Sequence, residues 1–214
     1  VDLFKTVFLK FNISINQIFC SSYAKSVNYK NNFSTNENIS FIDMGFNKTS
    51  IIYYEKDKIS FFHTIPIGGN HITKDLSKIL EVDLTDAEQI KLNFDKDKDI
   101  LIKRNFSLEL IQKIIFARAE EILEICSNSI KLNENFNISG DFKMILMGEG
   151  SQILDNKFKE QISFSQEINL LEETTEDICE SALKLHKGFN KQEVMVVPKK
   201  PRNKGFFEKI FNFF

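Results

Sequence analysis

The chain has 214 residues, enough for one large domain or two small ones around a real apolar core. With 42% hydrophobic and 27% charged residues it is globular in composition, and its net charge of -2 excludes a globally basic nucleic-acid binder. Three Cys far apart and three His without ligand spacing (His63, His71, His186) give neither a disulfide framework nor a metal site.

No run of about 18 apolar residues occurs, so no transmembrane helix is predicted, and Lys10 breaks the short apolar stretch near the start. There are 22 Phe and no Trp, and all but three of the 28 basic residues are Lys. The three Arg are Arg104, Arg118 and Arg202.

Leu3, Phe4, Val7, Phe8 and Phe11 sit at helical spacing, so residues 1–11 read as the end of an amphipathic helix. Ile15 to Cys20 reads as a short buried strand, and the Asn-rich stretch 28–38 as a loop. Ile39 to Asp43, Thr49 to Glu55 and Ile59 to Ile65 follow as three strands of an antiparallel meander. The period then changes. Ile72, Leu76, Ile79 and Leu80 lie on one face of a helix over 70–80. Thr85 to Leu92 reads as a second helix, with Thr85 and Glu88 as a capping box. Residues 93–106 are strand-like at best.

Ser107 caps a long helix to about Leu132, with an apolar stripe of Leu110, Ile111, Ile114, Ile115, Ala119, Ile122, Leu123 and Ile130. Met144 to Met147 is a buried strand that leads into a Gly-rich turn, and Thr175 to Lys187 is a helix stopped by Gly188. The order meander, helices, strand, helix indicates a mixed α/β domain with a helical insert.

Three glycine-bearing turns are candidate sites. Asp43-Met-Gly45, with Thr49 beyond it, is either a hairpin turn or a loop whose amides approach a phosphate while Asp43 holds the water shell of Mg2+. Gly68-Gly69-Asn70 is either a plain loop or an anion cradle at a helix start. Gly148-Glu149-Gly150 is either a strand-to-helix turn or a close approach to a nucleotide. No Lys-Ser/Thr follows it, so it is not a P-loop. No catalytic triad can be assembled, and Glu120-Glu121 and Glu172-Glu173 read as solvated faces.

Residues 189–203, with Pro198, Lys199, Lys200, Pro201 and Arg202, read as a flexible linker. Beyond it Phe206, Phe207, Ile210, Phe211 and Phe214 share one helical face, opposite Glu208, Lys209 and Asn212. An eleven-residue helix is marginal in water but ordered at a bilayer interface, where each nearby basic residue adds about 1 kcal/mol on an anionic leaflet. Phe206, Phe207, Lys209, Ile210, Phe211, Phe213 and Phe214 are the candidate membrane contacts; docking onto the protein itself or a partner is the other reading.

Four segments carry a family resemblance. Phe41-Ile-Asp-Met-Gly-Phe-Asn-Lys-Thr49 is similar to the second phosphate loop of the actin/Hsp70 superfamily. Ile65 to Leu76, with Asp86-Ala-Glu-Gln-Ile-Lys91, resembles the Gly-Gly-Asn-x-hydrophobic-Thr-x-Asp and Ala-Glu-x-hydrophobic-Lys blocks of the FtsA family. Ile115 to Leu123, with Arg118, resembles an Arg-bearing helix, and Leu146 to Ile153 the adenosine-binding turn. In this order, with a Phe-rich tail behind a linker, they resemble the C-terminal half of FtsA, the actin-like bacterial cell-division family. The match departs from the usual pattern at Phe46, Asn47, Lys48 and Glu149.

The resemblance implies an actin-like ATPase (ribonuclease H-like) α/β fold whose N-terminal half is missing. It implies a core subdomain at 1–70 and 140–188, an inserted subdomain at 71–139, a linker at 189–203 and a membrane-targeting helix at 204–214. It implies ATP with Mg2+, held at Asp43, Gly45, Thr49, Gly68, Gly69, Glu88, Lys91, Gly148 and Gly150. It further implies an adaptor, an ATP-binding structural protein whose ATPase activity, if present, would be weak and impossible in this fragment alone. That adaptor would bind the C-terminal peptide of FtsZ through Arg104 and Arg118, and would also bind anionic lipids, other divisome proteins and its own copies in a filament. Its place would be the cytoplasmic side of the membrane at the septum. A sugar-kinase-like enzyme or another actin-like protein, of the MreB or pilus-assembly type, is the alternative.

Overall fold

The computed structural model describes residues 2–94, 106–132, 142–162, 164 and 166–188. Arg104, the linker and the Phe-rich tail lie outside the described residues. Helix α1 (Asp2–Leu9) is followed by α2 (Ser21–Lys30) and by the strands β1 (Ile39–Met44), β2 (Thr49–Glu55) and β3 (Lys58–Ile65). Then come α3 (Gly69–Leu80), α4 (Leu84–Asn93) and the long α5 (Leu108–Lys131). Strand β4 (Lys143–Met147), a 3-10 turn at Glu149–Ser151, α6 (Asn156–Gln161), β5 (Ile168–Leu170) and α7 (Thr175–Gly188) complete the described chain.

The five strands form one mixed sheet in the order β3-β2-β1-β4-β5. The meander β1–β3 is antiparallel, as the sequence predicts, whereas β4 pairs in parallel with β1, and β5 with β4. The central strand β1 is buried along its whole length, and the alternation of its side chains splits the core in two. Ile42 and Met44, with Ile51, Tyr53, Met144 and Leu146, face a large cluster built with α3, α4, α5 and α6. Ile39 and Phe41, with Ile52, Tyr54, Ile145 and Met147, face a smaller cluster that Tyr29 of α2 completes. Helices α2 and α7 pack on each other on this second face. The molecule is thus a three-layer sandwich, and the edge strand β3 is largely exposed.

The stripe read along α5 is buried except for Leu110, and Ser107 caps the helix by accepting from Leu110 N–H at 3.4 Å. Cys126 lies in the same core. Burial pushes its thiol up to about 12, so it stays a protonated apolar filler.

Three local readings are corrected. Residues 15–20 form no strand, and Ile18 is exposed, because no neighbouring strand pairs with this segment among the described residues. The cap of α4 is Asp83, which accepts from Asp86 N–H at 2.8 Å, so Thr85 and Glu88 form no capping box. The Glu173 side chain is buried, 3% exposed, and is not part of a solvated face. Helix α1 forms where the apolar spacing predicts it, with Leu3, Phe4, Val7 and Phe8 all exposed.

Candidate functional site

Strands β1 and β4 run parallel, so their C-terminal ends open on the same edge of the sheet. After β1 the chain turns back into β2, while β4 leads away towards β5; such a divergence of neighbouring strands is where open α/β sheets hold ligands. The glycine-bearing turns meet there. Gly45 N–H donates to Lys48 O at 2.9 Å and closes the β1–β2 turn. The start of α3 packs on this turn: Gly69 N–H donates to Gly45 O at 2.9 Å and Asn70 N–H to Phe46 O at 2.7 Å. Asn70 also donates from Nδ2 to Asn47 Oδ1 at 3.0 Å, and Gly68 N–H donates to His71 Nδ1 at 3.2 Å.

A Cβ on Gly150 would lie 2.8 Å from Met44 O and 2.9 Å from Gly45 O, so the third turn presses on the first. Thr49 Oγ1 donates to Ile67 O at 2.7 Å and ties the start of β2 to the approach to α3. All nine residues that the resemblance implies for nucleotide therefore converge on this edge or its immediate border.

Beside this junction lies a charged cluster that the sequence did not suggest. Lys25 of α2 reaches across the second face of the sheet. Its Nζ donates to Asp43 Oδ1 and to Glu173 Oε2, each at 2.9 Å. Glu173 Oε2 also accepts from Gly148 N–H at 2.7 Å. The Lys25 side chain is only 3% exposed. Burial, and then the Glu173 carboxylate, push the Tyr29 phenol above its ordinary value, so it stays protonated beside the cluster.

A second buried ammonium lies on the other side. Lys91 Nζ donates to Glu88 Oε2 at 2.7 Å, to Thr73 Oγ1 at 2.9 Å and to Gly69 O at 3.3 Å, which uses all three of its protons. Thr73 Oγ1 also donates to Glu88 Oε2.

These facts bear on the fit of Mg-ATP. A phosphate needs free amides, and a metal needs a free carboxylate. Here the amides of Gly45, Gly68, Gly69 and Asn70 point at protein acceptors, the Gly148 amide is held by Glu173, and Asp43 is engaged by Lys25. Lys91 has no proton left for a ribose or base. The residues as arranged do not fit a magnesium nucleotide.

Arg118 lies elsewhere, on α5. Its Nε donates to Asp75 Oδ2 at 2.5 Å and Nη2 to Asp75 Oδ1 at 3.0 Å, a bidentate pair with α3; Nη1 donates to Glu121 Oε2 at 2.6 Å. The hydrogen bonds to Asp75 and the charges of Asp75 and Glu121 raise its pKa, against the lowering effect of burial. Asp75, Ile79, Lys113, Ile114, Ala117, Arg118 and Glu121 line a shallow groove between the two helices. Replacing Arg118 with alanine is expected to lower stability by about 1–2 kcal/mol through loss of the bidentate pair. Urea unfolding beside Arg118→Lys measures this: the lysine variant is expected to lose most of the same stability, and a lysine variant as stable as the wild type would mean that the bidentate geometry contributes nothing.

Comparison with known proteins follows the same edge. The sequence profile of the family described as "Cell division protein FtsA" matches residues 40–143, from β1 to the start of β4. Over that segment the chain is similar to the FtsA family. It is 29% identical over 118 residues to the FtsA of Streptococcus pneumoniae, a match covering 49% of this chain and 26% of that protein. It is 29% identical over 122 residues to the FtsA of Bacillus subtilis, covering 50% and 28%. The FtsA of Buchnera aphidicola matches at 23% identity over 94% of this chain and 55% of its own length. The chain thus spans between about a quarter and about half of these relatives.

Among solved structures, MreB5 of Spiroplasma citri bound to ADP superposes with a TM-score of 0.63 at 16% identity, over 89% of this chain and 65% of that one. The ethanolamine utilization protein EutJ of Carboxydothermus hydrogenoformans superposes at 0.52 and 20% identity, covering 70% and 47%. The archaeal actin homologue Ta0583 superposes at 0.50 and 15% identity, covering 78% and 54%. The fold of this chain is therefore actin-like.

The charge cluster was hidden for a definite reason. Lys25 belongs to a helix whose buried face is polar (Ser22, Lys25, Ser26, Lys30), so no apolar stripe announces that helix. Glu173 lies in an irregular stretch beside a second Glu.

Proposed function

We propose that this chain is part of a cell-division adaptor that joins FtsZ filaments to the cytoplasmic face of the membrane, at the septum, through residues 204–214. The observation that carries the reading is the FtsA match over β1 to β4 together with the one-sided Phe/Ile pattern of the tail. No described helix is long and apolar enough to cross a membrane; the attachment proposed is peripheral, through the apolar face of the tail. Lys199, Lys200, Arg202, Lys204 and Lys209 supply attraction to an anionic leaflet. Self-assembly in an actin-like manner and contacts with other division proteins belong to the same reading, as does the septal location. An adaptor needs no chemical step, and no catalytic residue is proposed.

For the FtsZ peptide the proposed contacts remain Arg104 and Arg118. With Arg118 engaged as it is, an incoming carboxylate would displace the half-exposed Glu121 while the Asp75 pair holds the guanidinium in place. The test of the adaptor reading is co-sedimentation with vesicles containing anionic lipid, with and without residues 204–214. The full chain is expected to pellet with the vesicles, and the shortened chain to stay in the supernatant. Equal pelleting of the two would sink the membrane reading.

A further inference from the structure

We infer that Lys25 supplies, from within the fold, the positive charge that a magnesium–phosphate group would bring to the C-terminal ends of β1 and β4, so that this edge of the sheet is held together without nucleotide. Two carboxylates, Asp43 and Glu173, converge at this edge, and each approaches the Lys25 ammonium to 2.9 Å. Two buried carboxylates this close to one centre repel each other unless a cation lies between them. In a nucleotide-binding site that cation is imported with its ligand. Here it comes from the chain.

The rest of the edge agrees. The start of α3 is docked on the β1–β2 turn by the Gly69-to-Gly45 and Asn70-to-Phe46 hydrogen bonds, which a phosphate would have to break. The Gly148 amide is committed to Glu173 at 2.7 Å, so the β4 turn is anchored to the cluster as well. Lys91 and Glu88 satisfy each other and Thr73. The amides of Gly45, Gly68, Gly69, Asn70 and Gly148 and the side chains of Asp43, Glu88 and Lys91 are thus already engaged by other parts of the chain, and the conformation of this edge does not depend on nucleotide.

The test has two arms, both on the full chain. In the first, the wild type is titrated calorimetrically with Mg-ATP and Mg-ADP. No saturable heat is expected up to millimolar nucleotide, and saturable binding in the micromolar range would overturn the inference. A chain lacking other parts of a nucleotide site would give the same blank, so the second arm separates the explanations. Thermal unfolding of the wild type, Lys25→Ala and Lys25→Gln is followed with and without millimolar MgCl2 alone. Removing the ammonium leaves Asp43 and Glu173 facing each other, and the metal ion takes its place. Both variants are expected to gain about 5 °C or more with magnesium while the wild type moves by less than about 1 °C. Should a variant be unfolded without metal, circular dichroism is expected to show its helices return when magnesium is added. A wild type that responds as the variants do, or variants that magnesium neither stabilises nor refolds, would overturn the inference.

Discussion

Replacing Lys25 with alanine is expected to cost about 3–5 kcal/mol of folding stability, the range for removing one partner of a buried ion pair. Two carboxylates depend on this ammonium. The Asp43 side chain is 10% exposed and that of Glu173 is 3% exposed, so water cannot take over the role of the lost cation. A surface lysine would cost well under 1 kcal/mol, and the gap between the two ranges makes the measurement decisive. Urea unfolding of the wild type, Lys25→Ala, Glu173→Gln and the double variant provides the full cycle. The double variant is expected to recover part of the loss, because the glutamine removes one buried negative charge and its oxygen still accepts from Gly148 N–H. A Lys25→Ala cost below about 1 kcal/mol would show that the cluster is solvated after all.

The same cluster shows which parts of this structure could be read from the sequence. The meander, α3, α5 and β4 were legible because their apolar residues repeat with the period of the element that buries them. Ile72, Leu76 and Leu80 line one face of α3, and Ile42 and Met44 point to the same layer of the sheet. The glycine turns were legible as chain reversals, and the family resemblance ordered them around one edge. What the residues do at that edge was not legible. A turn glycine looks the same in sequence whether its neighbours' amides meet a phosphate or a carbonyl, and the choice rests on Gly45 O and Phe46 O, backbone atoms that carry no residue label.

Helix α2 was missed for a related reason. Its buried face holds Ser22, Lys25 and Ser26, of which Lys25 reaches Asp43 and Glu173 and Ser26 reaches Tyr54, and hydropathy cannot register a helix of that kind. Likewise Arg118 stands out as one of three Arg, but only the structure shows its guanidinium engaged by Asp75 and Glu121. An Arg at this place in a Lys-rich chain is explained by the bidentate strut between α3 and α5.

Gly148→Ala is expected to cost far more than the one methyl group it adds. Two costs add. Gly148 has φ of +93°, a backbone conformation that L side chains rarely adopt, which costs about 1–3 kcal/mol. The new Cβ would also overlap Asp43 Oδ1 and lie 2.7 Å from Met44 O. Asp43 Oδ1 is the atom that Lys25 holds, so relieving the overlap means pulling the carboxylate away from its ammonium or lifting the β4 turn off β1. Either movement also strains the Gly148-to-Glu173 hydrogen bond. A total loss of about 3–5 kcal/mol follows. Gly188→Ala is the matched control: nothing lies within 4 Å of its would-be Cβ, so its effect should stay within about 1 kcal/mol of zero. Both are read from urea unfolding midpoints at unchanged m-value. If Gly148→Ala were as mild as Gly188→Ala, the tight contact between the β4 turn and Asp43 would not exist in solution, and the charge cluster built on that contact would lose its third support.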